Sequence, residues 1–410
     1  MTAHVMCFTS SGGIPLFVRK KGDEDLIPYS KMASLNGVHM FLKSLNVELL
    51  STDMPDTTVV WKEFRNCVTL IAIASGTTKL VIEKFLESVF SAMILFVGLK
   101  DIEQPRSVER LKRDLSSCYP VIDGLLECLD IGDKSTNKTD LIDLTSCIMC
   151  SENHLLQTGL DGYMECLDSL YGCILIHNCL AVATDSWWSL DPIERKLLLL
   201  AITTDSTSTA KDMPIFLPNK SPNLAYRLVN ITLVNNIRVL SLCGPNPELS
   251  EIERLATQCW RNSTEVLRSS EQCYPRNFPL AMTLDSGILG FLLVNFRMGK
   301  FVLSRNVHHT KSHATGTHRL DTLKTFYHHA VETLLATNLD KDYKNANQST
   351  GEFQGAVETY WCLEYHKCHA LKQIDHIFCV LYTSVVPTHT MRLITQKTLK
   401  FLLSDRQVCW

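Results

Sequence analysis

The order of strand-like and helix-like segments recurs along this chain, and that recurrence restricts the fold more than any single motif does. The N-terminal part reads as two strands, a helix at Ser30–Lys43, three strands and two further helices. Its segment Cys67–Ala74 (CVTLIAIA) is β-branched and almost wholly apolar, which is typical of a central strand. The helix Leu80–Val97 carries a wide apolar stripe, which predicts that it is nearly buried. The predicted order is β-β-α-β-β-β-α-α.

The C-terminal third repeats this order. Ile288–Phe296 and Lys300–Arg305 predict a hairpin, Leu320–Ala336 predicts a helix, and Thr390–Leu403 predicts a closing amphipathic helix. The repeat lies in element order and not in residue identity. We therefore predict an α+β fold of three domains, each a mostly antiparallel five-stranded sheet flanked by helices.

The middle third fits the same order more loosely. Pro192–Ile202 predicts a helix, Leu224–Val234 and Arg238–Cys243 predict paired strands, and Glu251–Leu267 predicts a helix capped by Ser250. An additional helix is predicted at Leu155–Leu167.

Two polar stretches suggest where the domains are joined. Gly132–Asp140 (GDKSTNKTD) has almost no apolar residue, and Ser269–Asn277 (SSEQCYPRN) has few and contains a proline. A length of 410 residues also predicts two or three domains at roughly 150 residues each. We place the domains at residues 1–130, 151–268 and 278–410.

Composition excludes several classes of protein. A hydrophobic fraction of 45% excludes an intrinsically disordered chain. A net charge of −3 argues against binding of nucleic acid through an overall positive charge. The most apolar long stretch, Lys79–Leu99, contains Glu83, Lys84 and Glu87, which argues against a membrane span. The N-terminus lacks the pattern of a signal peptide, so we expect a cytoplasmic protein with reduced thiols.

Common catalytic signatures are absent from the sequence. It has no phosphate-binding Gly-x4-Gly-Lys-Ser/Thr loop, no dinucleotide-binding Gly-x-Gly-x-x-Gly after a strand, no His-Glu-x-x-His and no Gly-x-Ser-x-Gly. We therefore predict no catalytic residue and no cofactor.

Three groups of Cys and His residues could bind metal, and each has a plainer interpretation. Cys147 and Cys150 form a C-x-x-C with His154 and Cys166 nearby, which suits zinc or a redox pair, but a second C-x-x-C is missing. We therefore predict no metal site. The second group fits a solvated loop that runs into a helix; it comprises His308, His309, His313, His318, His328 and His329. The third group fits a hairpin in which adjacent residues face opposite sides of the sheet; it comprises Cys362, His366, Cys368 and His369.

Two further features could contact a partner or a membrane. Adjacent residues Trp187 and Trp188 should face opposite ways at a strand end, so that one is core and the other could anchor a partner. Basic residues interleaved with acidic ones predict a mixed solvated face, with phosphate or acidic-lipid contact as the alternative; they are Lys100, Arg106, Arg110, Lys112 and Arg113.

Several longer segments carry a family resemblance. The chain resembles the Fuzzy family of planar cell polarity effectors, which belongs with the Mon, Ccz, Hermansky–Pudlak and Inturned proteins. The resemblance is carried by SSGGIPLFVR, SLNGVHMF (Ser34–Phe41), TTVVWKEF (Thr57–Phe64), FSAMILFVGLKDI with VERLKRDL (Phe90–Leu115), ATDSWWSL (Ala183–Leu190) and LCGPNPELS (Leu242–Ser250). It implies three longin domains, which have the element order predicted above.

The same resemblance implies a function. These proteins act as heterodimeric guanine-nucleotide exchange factors for Rab GTPases, here in ciliogenesis, planar cell polarity and protein transport. The implied partners are an Inturned-like longin protein, a Fritz-like β-propeller subunit, a Rab-family GTPase and a phosphoinositide membrane surface, with no nucleic acid. The implied location is the cytoplasm, the cytoskeleton and the basal body at the cilium base. The alternative is a non-catalytic longin adaptor that only holds a trafficking complex together.

The resemblance also implies where the partner binds. Longin proteins of this group pair through their first domains, with first helices adjacent and sheets joined edge to edge. Here these elements are the helix Ser30–Lys43 and an edge strand predicted at Val47–Leu50. The predicted interface residues are Met32, Leu35, His39, Lys43, Val47 and Leu49.

Overall fold

The computed structural model describes residues 2–23, 25–129, 141–203, 209–305, 316–335, 356–404 and 410. They form three units, each built on one sheet. The first sheet has the order β2-β1-β5-β4-β3 and is antiparallel throughout. The elements of this first unit are β1 (Ala3–Thr9), β2 (Pro15–Lys21), α1 (Tyr29–Ser44), β3 (Ser51–Asp53), β4 (Thr57–Phe64), β5 (Val68–Ser75), α2 (Lys79–Val97), α3 (Leu99–Glu103), α4 (Val108–Asp114) and α5 (Tyr119–Cys128).

The second unit repeats the topology of the first. Its sheet has the order β8-β7-β11-β10-β9. The segment before it contributes the two-residue strand β6 (Thr145–Ser146), which joins the third sheet instead. The elements of the second unit are α6 (Asn153–Cys166), β7 (Gly172–Ile176), β8 (Cys179–Ala183), α7 (Asp185–Trp188), α8 (Pro192–Thr203), β9 (Ala210–Leu217), β10 (Ser221–Val234), β11 (Ile237–Cys243), α9 (Leu249–Trp260) and α10 (Thr264–Glu271).

The third unit has the same strand arrangement with one strand added. Its sheet runs β14-β15-β16-β12-β13-β6, and β6 pairs with β13 in parallel. The elements are β12 (Ile288–Asn295), β13 (Lys300–Arg305), α11 (Gly316–Leu335), β14 (Glu358–Cys362), β15 (His366–Gln373), β16 (His376–Thr383) and α12 (Thr388–Ser404).

The predicted α+β class with three mostly antiparallel sheets is confirmed, and some of the elements differ from the prediction. The third sheet has six strands because residues 145–146 add to its edge. The strand Ala210–Leu217 was not predicted from sequence. The helix predicted at Glu251–Leu267 is interrupted by a 3-10 turn at Arg261–Ser263, and Ser250 lies inside α9 and not at its cap.

The first predicted junction, Gly132–Asp140, lies outside the described residues, and the segment that follows it is packed. Residues 141–150 have main-chain contacts to two sheets: Cys147 N–H donates to Phe301 O at 2.8 Å, and Ile148 N–H to Leu180 O at 2.9 Å. In the second, Ser270 and Cys273 are buried. The domain limits given above stay predictions.

The three units share one central core and keep three separate outer cores. The central core is formed by α2, α5, α8 and α12 together with the sheet faces that they cover. The outer cores lie under α1 in the first unit, under α6 and α9 in the second, and under α11 in the third. Helix α2 belongs to this central core. The Thr78 side chain caps the start of α2 by accepting a hydrogen bond from Val81 N–H at 3.4 Å, and Gly98 ends the helix at φ 84°.

Candidate partner interface

Helix α1 covers the outer side of the first sheet with only one of its faces. Met32 packs there on Met6, Phe8 and Trp61, whose indole Nε1 donates to Leu35 O at 3.2 Å. This inner contact anchors the helix to its own sheet. It also orients the opposite face away from the unit.

That opposite face is apolar and uncovered. Val38, Phe41 and Leu45 are 52%, 63% and 56% exposed, and a Cβ added at Gly37 would meet nothing within 4 Å. We call Gly37, Val38, Phe41 and Leu45 the outer α1 face. Contiguous exposed apolar surface of this kind on a folded chain marks a contact site.

The end of α1 is fixed by a Schellman motif. Asn46 adopts φ 58° and donates to Lys43 O at 3.0 Å, while Val47 N–H donates to Leu42 O at 2.9 Å. The predicted edge strand at Val47–Leu50 is therefore wrong, because the backbone of Val47 terminates the helix. The edge strand of this sheet is Ser51–Asp53.

The short strand β3 lies at the end of the first sheet order and follows α1 in the chain. It pairs with β4 on one side, and Leu50 O accepts from Trp61 N–H at 2.9 Å just before it. Leu50 and Met54, on either side of β3, are 50% and 46% exposed. An edge of this kind offers backbone groups that a second chain can complete.

The predicted interface residues of α1 follow its inner stripe, and Val47 and Leu49 lie beyond its end. Met32 and His39 are buried against the sheet, and Leu35 and Leu49 are half-buried. Lys43 and Val47 are exposed, and Lys43 Nζ contacts Glu63 Oε1 of β4 at 2.6 Å. The sequence did not single out Phe41 and Leu45, although the spacing 38, 41 and 45 is a helical stripe in its own right.

His39 is an unusual buried group beneath α1. Neither of its ring nitrogens has a hydrogen-bond partner among the described residues. Burial lowers the pKa of His39, and Glu63, Lys43 and Glu48 act on it from nearby. Burial raises the pKa of the Glu63 carboxyl, but hydrogen bonds from Lys43 and Ser10 outweigh that effect and the pKa lies below its usual value.

A groove runs beside the N-terminal half of α1. Its volume is about 690 Å³, its floor is apolar at Ile27, Val59 and Ile73, and Lys31 and Asp56 stand on its rim. It opens on the same side of the sheet as the outer α1 face.

The C-x-x-C cysteines do not form a common site. Cys147 lies in the central core and Cys150 in the outer core of the second unit. Burial raises the pKa of Cys147 to about 12, as expected of a core thiol. Across the described ranges, His, Cys, Asp and Glu residues form no group of three that could hold a metal ion.

The other Cys and His residues are dispersed as well. On β15, Cys368 packs in the core under α11, whereas His369 contacts Glu358 at 3.6 Å on the α12 side. The alternation predicted for this pair is confirmed. His308, His309 and His313 lie outside the described residues.

The tryptophan pair is internal. Trp187 is fully buried, and the Trp188 ring lies under Arg195 at 5.0 Å and Lys300 at 4.6 Å, at the junction of the second and third units. Trp188 is thus already engaged within the chain. The basic residues on α3, α4 and the turn between them are exposed and mixed with acidic ones, as in the Arg110–Asp114 pair at 3.5 Å.

No helix in the described part of the chain has the length and apolar character needed to cross a membrane.

Comparison with known proteins matches all three units to longin domains. The first Longin domain of FUZ, MON1 and HPS1 matches residues 3–125, the second matches residues 167–261 and the third matches residues 287–406. The Protein fuzzy homolog of Xenopus tropicalis is 34% identical over 416 residues, which cover 98% of each chain. The homologue from Mus musculus is 35% identical over 82% of this chain and 79% of its own, and that from Homo sapiens is 37% identical over 72% and 71%.

Proposed function

Since the chain belongs to the tri-longin family of FUZ, MON1 and HPS1, and within it to the Fuzzy proteins, we propose that it is one subunit of a heterodimeric guanine-nucleotide exchange factor for a Rab-family GTPase. It would act in ciliogenesis and planar cell polarity, in protein transport at the cilium base. The family resemblance seen in the sequence supports this proposal. The proposed partner is an Inturned-like longin protein.

The outer α1 face is the observation that carries the proposal. Val38, Phe41 and Leu45 are each more than half exposed, whereas Met32 and Leu35 on the inner face pack in the core under the helix. An apolar helix face of this kind is suited to the first helix of a second longin protein. Lys43 and Val47 stand beside it, and the edge of β3 would extend the contact by main-chain pairing.

Exchange would proceed by binding and not by acid–base chemistry. A heterodimer that binds the nucleotide-free GTPase more tightly than the loaded form lowers nucleotide affinity by the same factor. This mechanism needs no phosphate-binding loop on the exchange factor, and the sequence carries none of the usual form. A Fritz-like β-propeller subunit and a phosphoinositide surface are further proposed partners, the latter facing the exposed basic residues Lys100, Arg106 and Lys112.

The test is nucleotide release with purified proteins. The chain is co-purified with an Inturned-like partner, and release of fluorescent GDP is followed across a panel of Rab GTPases. We expect one Rab to release GDP at least tenfold faster with the heterodimer than alone. Phe41→Glu should abolish both pairing and acceleration, whereas Leu393→Glu, at an exposed position of α12, should leave both intact.

A stable heterodimer that accelerates release from no Rab would overturn the exchange proposal and favour the adaptor function. Heterodimer formation that survives Phe41→Glu would show that the partner binds elsewhere.

A further inference from the structure

The ammonium group of Lys300, at the junction of the second and third units, contacts two indole rings. Lys300 Nζ lies 4.6 Å from the centroid of the Trp188 ring and 4.6 Å from the centroid of the Trp410 ring. At such distances a cation is attracted to an aromatic face, and tryptophan is its strongest partner. We propose that the position of the Trp410 ring is an exchangeable binding site for an indole, filled by Trp410 in the free chain and open to a tryptophan side chain of another protein. We call this position, together with Lys300 and Trp188, the indole site.

The two fixed residues of the indole site belong to well-anchored structure. Lys300 begins β13, which pairs with β12 on one side and with β6 on the other. Trp188 ends α7, and its ring also carries the guanidinium of Arg195, whose Cζ lies 5.0 Å from the ring centroid and whose Nη2 donates to Met298 O. The site should therefore keep its form when the Trp410 ring leaves. A preformed site binds a ligand at a lower cost in ordering.

A cavity of about 90 Å³ adjoins the two rings, and both units contribute to its lining. Asn153 of α6 and Leu180 of β8 line it together with Trp188, Lys300 and Trp410. Within the described part of the chain its lining includes no acidic side chain. An electron-rich aromatic ring suits such a lining, because it buries apolar surface and turns a negative face towards the lysine.

The burial of Trp410 indicates that its own ring can be replaced. The ring packs against the central core, but the residue as a whole is only half-buried. Its indole N–H is buried and donates to no acceptor among the described residues. A buried donor without an acceptor opposes the burial of the ring that carries it. The gain from ring contact is therefore partly offset, and a second indole at sufficient concentration should compete for the site.

The chemistry of the ligand is that of an indole ring, which a peptide-borne tryptophan and a free indole share. We favour the peptide-borne source because of how Trp410 occupies the site. Its ring nitrogen is buried although the residue is half-buried, so the site takes the ring and leaves other atoms of the residue at the surface. A tryptophan within another polypeptide can present its ring in the same way.

The experiment follows displacement of Trp410 in the full chain by fluorine NMR. The six tryptophans are replaced with fluorotryptophan, and the signal of Trp410 is assigned by its loss in Trp410→Phe. N-acetyltryptophanamide, which mimics a tryptophan within a peptide, is then titrated in parallel with free indole. We expect N-acetyltryptophanamide to shift the Trp410 signal to the position of a solvated indole. Displacement by free indole alone would overturn the peptide-borne source.

Two variants test whether the ring binds where Trp410 was. Trp410→Ala leaves the site without its resident ring, so N-acetyltryptophanamide should bind this variant at least about tenfold more tightly than the parent and should raise its melting temperature. Adding Lys300→Met to Trp410→Ala should weaken that binding by about fivefold or more, because the cation–π contact is lost. Trp361→Ala, which removes a half-buried tryptophan under α11, is the matched control and should bind no better than the parent.

Two results would overturn the proposal. If Trp410→Ala melted at a lower temperature but bound neither compound, Trp410 would be a structural wedge and not a ligand of an exchangeable site. If N-acetyltryptophanamide bound Trp410→Ala equally well with and without Lys300→Met, the ring would be bound elsewhere.

Discussion

Helices α1 and α8 hold the same place in their units, between the second and third strands, but they have different surroundings. The outer side of α8 packs on α2 and α5 of the first unit, and Leu197, Leu198 and Ile202 are fully buried. The outer side of α1 is apolar as well, but its Val38, Phe41 and Leu45 remain exposed. The same topology thus produces two apolar outer faces, of which one is covered within the chain and the other is available to a second chain.

Two helix glycines, one beside α8 and one on α1, differ in the same way in the space around them. A Cβ added at Gly124 of α5 would lie 3.2 Å from the Leu200 side chain of α8, so that this space is already used. A Cβ added at Gly37 of α1 would meet nothing within 4 Å. Glycine within a helix is unfavourable by about 1 kcal/mol relative to alanine. At Gly124 the close approach of α8 explains the glycine, and at Gly37 the proposed partner helix would do so.

The largest expected effect is on the stability of α8. Leu198→Ala should lower the free energy of unfolding by about 3 kcal/mol, because it opens a cavity in a closely packed core. Val38→Ala, on the outer α1 face, should change it by less than about 0.5 kcal/mol. Urea unfolding followed by circular dichroism measures both. If both variants lost the same free energy of unfolding, the proposed difference in packing between α8 and the outer α1 face would be contradicted.

The next effect is on partner binding. Phe41→Ala should weaken the heterodimer about 30-fold, since a large exposed aromatic at the centre of an interface typically contributes about 2 kcal/mol. Phe401→Ala, at an exposed aromatic of α12, is the matched control and should leave affinity unchanged. Titration calorimetry with the longin partner compares the two. If α12 were the docking helix, Phe401→Ala would weaken the heterodimer and Phe41→Ala would leave its affinity unchanged.

Acid should loosen α1 before α8. Burial lowers the pKa of His39, so the unfolded state binds its proton more tightly than the folded state does. The stability contributed by neutral His39 is complete above the unfolded pKa of about 6.5 and is lost as the pH falls through that value towards the lower folded one. Hydrogen exchange at pH 7.5 and 5.5 should show greater opening of α1 at the lower pH.

Helix α8 carries no histidine and serves as the internal reference for that measurement. His39→Leu should remove most of the acid sensitivity of α1. If α1 of this variant opened in acid as much as the parent, the titrating group would be elsewhere, with Glu63 the next candidate.

The smallest effect concerns the glycines. Gly37→Ala should stabilise the unpaired chain by about 0.5 to 1 kcal/mol, because it restricts the unfolded state and meets no neighbour. Gly124→Ala should not stabilise it, since Leu200 must move to admit the methyl group. The melting temperatures of the two variants, measured side by side with the parent, test both expectations. A destabilising Gly37→Ala would mean that the space above α1 is already filled.

Elements that depend on residues close in sequence were predicted correctly from the sequence pattern. The apolar stripe of α2 predicted a helix at Leu80–Val97, within one residue of the observed Lys79–Val97. His177 and Asn178 both adopt positive φ in the turn of the β7–β8 hairpin, as their position between two apolar runs indicates.

Elements defined by distant partners were missed. The strand β9 has a half-exposed, irregular pattern and forms because it pairs with β10 and packs on α2. The strand β6 is only two residues long and exists through bonds to Gly299 and Phe301. No periodicity within either segment could have indicated these contacts.

The orientation of α1 shows a different limit. Apolar residues lie on both of its faces. The interface prediction took one stripe of the helix, Met32, Leu35, His39 and Lys43, and left out Phe41 and Leu45. The sheet selects Met32 and His39 as the inner set because they meet Met6, Phe8 and their neighbours, and Phe41 and Leu45 then face outwards. The family resemblance pointed to this helix as a partner site, which stays a prediction, and only tertiary packing distinguishes the two sides of the helix.

The two-residue strand β6 has a consequence for biosynthesis. It lies more than a hundred positions before β13, the strand that it pairs with, so it leaves the ribosome long before that partner is translated. At a typical rate of about 5 to 20 residues per second, the interval is many seconds. During that time the buried side chains of Leu144 and Cys147 lack their cover from the third unit. Truncations that stop before Ile288 would make this delay permanent, and chaperones would be expected to engage the nascent chain at this point.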